Sequence, residues 1–331
     1  MITSTRTYGV EVEFICPNAR SLEQIRNQLN VHHDGSLRPH PFAGEWVTDV
    51  LTGESGARTI IRGCEVLKKN GATCEPACTS VHVHLGGGKR SEITSSRTRP
   101  AELGTRTIAI SNALQKSFPR DVAETILKNG WTKLPEGFYK EFDGIGYFSV
   151  AELSRAPRIN YTYHKYVDLE RWKWVQKVFL FYTSFSHVIE DMLPMSRRLG
   201  NMYCIPLGAG YEVSDILKCK DERQLRSLWY KGEEGSGQYN NSRYQSVNLH
   251  SYWNKYGTIE IRSHGGTTDA NKILLWVKLH QKILDKLEVT PLHEIPLSGN
   301  KYELFLEFIE EPMLQAYVKR LLGYYSNVKI K

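Results

Sequence analysis

No apolar run in this sequence is long enough to cross a membrane. The most apolar stretch, Val175 to Ile189, is interrupted by Gln176, Lys177 and His187 and falls short of the roughly 20 residues that a spanning helix needs. The opening residues MITSTRTYGV hold no apolar core of the kind a secretory signal carries, so a cytosolic protein is expected. Cysteine is sparse, with 6 in 331 residues (Cys16, Cys64, Cys74, Cys78, Cys204 and Cys219), which excludes a disulfide scaffold and predicts reduced thiols. Low-complexity tracts and internal repeats are missing as well. So is an excess of one charge: 43 Lys and Arg face 36 Asp and Glu, and the net +7 suits phosphate-bearing ligands as readily as nucleic acid. Gly86-Gly87-Gly88-Lys89 looks like a phosphate loop but lacks its spacing, because position 83 is Val and position 90 is Arg. What remains is a globular chain whose hydrophobic content of 40% can bury a large core.

The informative pattern is alternation. In Tyr8-Gly9-Val10-Glu11-Val12-Glu13-Phe14 the period of two puts Tyr8, Val10, Val12 and Phe14 on one sheet face and both glutamates on the other. Ser80-Val81-His82-Val83-His84-Leu85 does the same with two imidazoles, and Thr258-Ile259-Glu260-Ile261-Arg262 with a carboxylate and a guanidinium. Further strands are expected from Glu45 to Leu51 and from Tyr244 to His250, and a turn at His33-Asp34-Gly35-Ser36. Helices are expected from Ser21 to about Leu29, from about Ala57 to Asn70 with Gly71 as a left-handed cap, and after Asp269. An amphipathic helix capped by Asp168 is expected through Trp172, Trp174, Val178, Phe181 and Phe185. Lys231 to Asn241 is the candidate mobile loop. The fold class expected is α+β: a curved, mainly antiparallel sheet with helices on its apolar face. It forms one domain over 1–331, with a helical insertion at about 100–195 and a helical part at about 269–331.

An ordinary solvent-facing sheet carries Thr, Lys and Ser on its polar side. Adjacent like charges destabilise a sheet unless something neutralises them. Glutamates from several strands, joined by one histidine, match hard divalent cations such as Mg2+ or Mn2+. A competing reading uses Cys74, Cys78, His82 and His84 as a tetrahedral zinc site. With the basic run Lys89, Arg90, Arg97, Arg99 and Arg106 this would make a zinc-dependent nucleic-acid-binding module, although C-x3-C followed by H-x-H lacks the usual knuckle spacing.

The strings YGVEVEF, HDGSL at 33–37, GEWVTDVL at 44–51, VHVHLG at 81–86, RYQSVNL at 243–249 and TIEIRSHGGT at 258–267 occur in this order. Together they resemble the amidoligase family, which groups with glutamine synthetases and glutamate-cysteine ligases. The resemblance spans residues 8 to about 280. It implies a glutamine-synthetase-like sheet and an ATP-dependent carboxylate-amine ligase that forms an amide or isopeptide bond through an acyl phosphate. The cofactors implied are ATP and Mg2+ (or Mn2+), and the partners are small-molecule or peptide carboxylate and amine substrates. By the same resemblance Glu11, Glu13, Glu45, His84 and Glu260 are the metal ligands, with His82 beside them. Arg262 adjoins the transferring phosphoryl group, and Arg243 and Asn248 contact phosphate or substrate carboxylate. Glu45 or Asp34 would take a proton from the incoming ammonium. In the last motif, E-I-R-S-H, the family more often has an aromatic or aliphatic residue near Ser263 and His264, so the local pocket is expected to differ.

Overall fold

The computed structural model describes residues 4–37, 40–75, 78–87, 171–198, 200–232, 240–254 and 256–328, and between 88 and 170 the backbone of five strands. The chain divides into two compact units, one made of Met1–Gly88 with Trp172–Lys331 and the other of Lys89–Arg171.

The larger unit is built on an open six-stranded sheet. Its strands are β1 (Tyr8–Ile15), β2 (Val31–His32), β3 (Ala43–Val47), β4 (Ser80–Gly86), β10 (Val247–Asn248) and β11 (Thr258–Gly265). They run in the order β10-β11-β4-β1-β3-β2, and every pairing is antiparallel. The alternation read from the sequence is realised: Tyr8, Val10, Val12, Phe14, Val81, Val83, Leu85, Ile259 and Ile261 are all buried in the core. Burying each Val, Leu, Ile or Phe contributes about 1.5–3 kcal/mol relative to leaving it exposed.

The helices Gly53–Lys69 and Ala270–Val289 belong to the same core. In the first, Ile60, Cys64 and Leu67 form a buried stripe at helical spacing, and Gly71, at φ +71°, follows its end as expected. Gly63 admits Trp46 of β3 so closely that an added Cβ would lie 1.9 Å from the indole ring. The second helix is capped as expected, the Asp269 carboxylate accepting from the backbone N–H groups of Asn271 and Lys272.

Several boundaries differ from expectation for identifiable reasons. The first helix is Ala19–Arg26, because Asn18 accepts from the Ser21 backbone and displaces Ser21 as the cap. β3 stops at Val47 rather than Leu51, since the Thr48 hydroxyl takes the Val10 N–H that a longer ladder would have used. The strand expected over Tyr244–His250 shrinks to Val247–Asn248, flanked by a 3-10 turn at Asn241–Tyr244 and a helix at His250–Asn254. The helix at Arg171–Ser184 is buried on every side from Trp174 onward rather than amphipathic, and it breaks at Phe185 before Ser186–Asp191. Asp168, its expected cap, lies outside the described residues, as do the side chains of the basic run and residues 233–239 of the expected loop.

Within the stretch at about 100–195 expected to be helical, the described residues of the smaller unit are strands, while Arg171–Ser184 and Ser186–Asp191 are helices as expected. β5 (Ile93–Arg97), β6 (Thr132–Leu134), β7 (Gly137–Phe142), β8 (Gly146–Val150) and β9 (Asn160–Lys165) form an antiparallel sheet in the order β5-β9-β8-β7-β6. Segments such as GFYKEF, GYFSV and NYTYHK are rich in aromatic residues suited to a pleated surface. Among the described residues no helix is long and apolar enough to cross a membrane.

Candidate functional site

Cross-strand register assembles the polar face. Glu11 is opposite His82, Glu13 opposite Glu45, Glu260 opposite His84, and Asn248 opposite Glu260. Directly paired residues project to the same side, so groups far apart in the chain meet on one surface. That surface is far from exposed: Glu13 and Glu260 are each only 5% accessible, little more than the valines behind them.

Glu11 sits between the two imidazoles, with Oε2 3.1 Å from His82 Nδ1 and Oε1 3.2 Å from His84 Nε2. Glu260 Oε1 lies 3.8 Å from His82 Nδ1 and 3.9 Å from His84 Nε2, and it is paired with the Arg262 guanidinium. Glu13 Oε2 accepts from both the backbone N–H and the hydroxyl of Ser80, each at 2.6 Å. Three sets of ligand atoms each lie within 4.8 Å of one another: Glu11–His84–Glu260, Glu11–Glu45–His82 and Glu13–Asp34–Glu45. The expected ligands Glu11, Glu13, Glu45, His84 and Glu260 are therefore brought together. Asp34 and His82 join them.

Burial and mutual repulsion shape their charges. Burial first, then the carboxylates of Glu11, Asp34, Glu13 and Glu260, push Glu45 up to about 9. Burial also raises Glu13, although His82 and Ser80 work against it. Burial would raise Glu11 too, but hydrogen bonds from His82 and His84 hold it well below the usual carboxylate range. For Glu260, Arg262 and then His84 outweigh burial and bring it down. His84 is raised because Glu260 and Glu11 overcome the desolvation that would lower it.

The donor set fits a hard divalent cation. His84 Nδ1 is held by the Thr258 hydroxyl at 3.0 Å, while its buried Nε2 faces Glu11 Oε1 at 3.2 Å and Glu260 Oε1 at 3.9 Å. A ring fixed through one nitrogen and presenting the other to carboxylates is the usual setting of a metal-ligating histidine. The same residues line an open cleft, where Arg243, Arg262 and Tyr256 join Glu11, His84 and Glu260.

Asn248 is in the cleft wall but its amide is engaged. Nδ2 donates to Glu260 Oε2 at 2.6 Å, and Oδ1 accepts from the backbone N–H groups of His250 and Ser251. It orients a carboxylate and caps a helix at the same time. Arg243 lies over the Tyr244 ring and donates to its hydroxyl at 2.7 Å.

The E-I-R-S-H departure has a structural reason. Between Ile261 and His264 the register of β11 on β4 shifts by a bulge, so His264 ends opposite Val81 on the apolar side, 5.2 Å from the Trp276 ring. Buried Arg197, which the motifs did not single out, donates to Thr79 O at 3.1 Å and His264 O at 3.4 Å and ties the strands together beyond the bulge.

The zinc site of the competing reading does not assemble. His82 and His84 face the carboxylates, Cys74 Sγ donates to the Glu13 carbonyl, and Cys78 groups with His40 and Glu75. Among the described residues no ligand group joins these cysteines to those histidines.

Arg197 lies outside the motifs. Ser80 and Thr258 each had a signal, their places two residues before His82 and Glu260 on the same strand faces.

A family model described as "Putative amidoligase enzyme" matches residues 151–284, the stretch holding Arg243, Asn248, Glu260 and Arg262. This is the family that the motifs resemble, and it points to a ligase. No curated protein matches the chain, and no solved structure does.

Proposed function

We propose that the chain is an ATP-dependent carboxylate-amine ligase on a glutamine-synthetase-like sheet, working with Mg2+ or Mn2+ at the polar face. The observation that carries this reading is the convergence of Glu11, His84 and Glu260, whose ligand atoms come from three strands to within 4.8 Å of one another at the wall of an open cleft. Glu11, His84 and Glu260 would hold one cation, and Glu13 and Glu45 with Asp34 another. Bound there, the cations would neutralise polyphosphate charge.

The reaction then follows from positioning and charge. A substrate carboxylate oxygen attacks the terminal phosphorus of ATP, the bridging P–O bond breaks, and ADP leaves an acyl phosphate. The amine nitrogen attacks the acyl carbon, the C–O bond to phosphate breaks, and inorganic phosphate departs. Arg262, held by Glu260, directs its positive charge at the phosphoryl oxygens. The ammonium proton goes to Glu45 or Asp34, the two carboxylates that stand with Glu13 at the proposed second cation.

The test is phosphate release from Mg2+ and ATP in the presence of pooled amino acids, polyamines and short peptides, followed by mass spectrometry of any new amide. Amine-dependent phosphate release that disappears in Glu11→Gln supports the reading. Undiminished ADP formation in that variant overturns the cation assignment.

A further inference from the structure

One polar link in the site is unaccounted for by the ligand assignment. The Ser80 hydroxyl has a single proton, and the 2.6 Å contact directs it to Glu13 Oε2. At 2.9 Å from His82 Nε2, Ser80 Oγ must then accept from that nitrogen. With Nε2 turned to Ser80, the ring is fixed so that its other nitrogen, Nδ1, faces the carboxylates. Nδ1 is the atom 3.1 Å from Glu11 Oε2, in the group formed by Glu11, Glu45 and His82. Ser80 is 3% accessible and His82 6%, so water does not compete for these contacts.

We propose that Ser80 is a positioning residue of the cation site, an inference that rests on the cation reading above. One side chain grips the Glu13 carboxylate and fixes the His82 ring with Nδ1 toward the carboxylates, where a cation would meet it. It also holds Glu13 and Glu11 at a fixed spacing through the chain Glu13–Ser80–His82–Glu11. Partners behind metal ligands typically account for about 10–100-fold in metal affinity. A rigid spacing further favours a small cation that demands regular octahedral geometry over Ca2+, which accepts variable coordination.

The experiment is calorimetric titration of the full chain with Mn2+ alone and Ca2+ alone, on the wild type and on Ser80→Ala, Ser80→Cys and Ser80→Thr. Cysteine keeps the volume but is a weak donor, so it guards against a variant that merely fails to fold. Expected for Ser80→Ala and Ser80→Cys is a loss of about 10–100-fold in Mn2+ affinity with a smaller loss for Ca2+. Ser80→Thr, which restores the hydroxyl, should return to near wild type. If Ser80→Cys titrates Mn2+ like the wild type, the positioning role is wrong while the cation site stands. If the wild type itself shows no saturable Mn2+ binding, the cation reading fails and this inference with it.

Discussion

Both faces of the six-stranded sheet bury side chains, the apolar one almost completely and the polar one in part, and they are held together in opposite ways. Behind the strands, Val12, Val83 and Ile261 contribute to a core with Trp46, Ile60 and Trp276, where each contact is attractive and none depends on charge. In front, Glu11, Glu13, Glu45 and Glu260 crowd together, and burial and then their repulsion raise the pKa of Glu45 to about 9. Burial alone therefore does not distinguish structure from function in this sheet. The sign of the neighbouring interactions does, since a face that destabilises itself is retained where a ligand resolves the conflict.

Three perturbations would sharpen or break that contrast. The largest effect is expected from Glu260→Gln, which keeps the side-chain shape but removes the charge and leaves one oxygen to accept from Asn248 or Arg262. Turnover should fall by about 10²–10³-fold, with the melting temperature measured without metal within a few degrees of wild type. A loss of activity matched by loss of folded protein would mean that the polar face is structural. On the opposite face Gly63→Ala should do the reverse: its new methyl collides with Trp46 and should cost about 1–3 kcal/mol in chemical denaturation. Per folded molecule the catalytic rate should stay unchanged.

The smallest effect concerns pH. Glu45 has its folded pKa raised to about 9 from 4.5, so its contribution to stability is fully present below pH 4.5 and is lost as pH rises through 9. Metal-free protein should therefore melt at a lower temperature at pH 9 than at pH 6. Glu45→Gln should flatten that decline, and equal slopes in the two proteins would show that Glu45 does not experience the crowding.

The smaller unit shows where local pattern was misread. Gly137–Phe142 and Gly146–Val150 flank Asp143-Gly144, a dipeptide that commonly marks hairpins. Their aromatic residues also fit a helical count, and over such short apolar runs periodicity alone does not separate strand from helix. The long helix from Arg171 was legible as a helix, but its polar members Gln176, Thr183 and Ser184 are buried too, because the core surrounds it.

By itself the sequence determined which side chains share a face. Alternation in β1, β4 and β11 separates Glu11, His84 and Glu260 from the apolar residues between them, because the period of two is a property of the extended backbone. Only the tertiary structure decided which strands lie side by side. Glu260 meets His84, and Glu13 meets Glu45, through pairings between segments whose chemistry says nothing about register. The bulge that turns His264 inward, the entry of Asp34 from a turn, and the grip of Ser80 on Glu13 likewise follow from packing across strands. Such contacts depend on distance in space, which a local pattern along the chain does not encode.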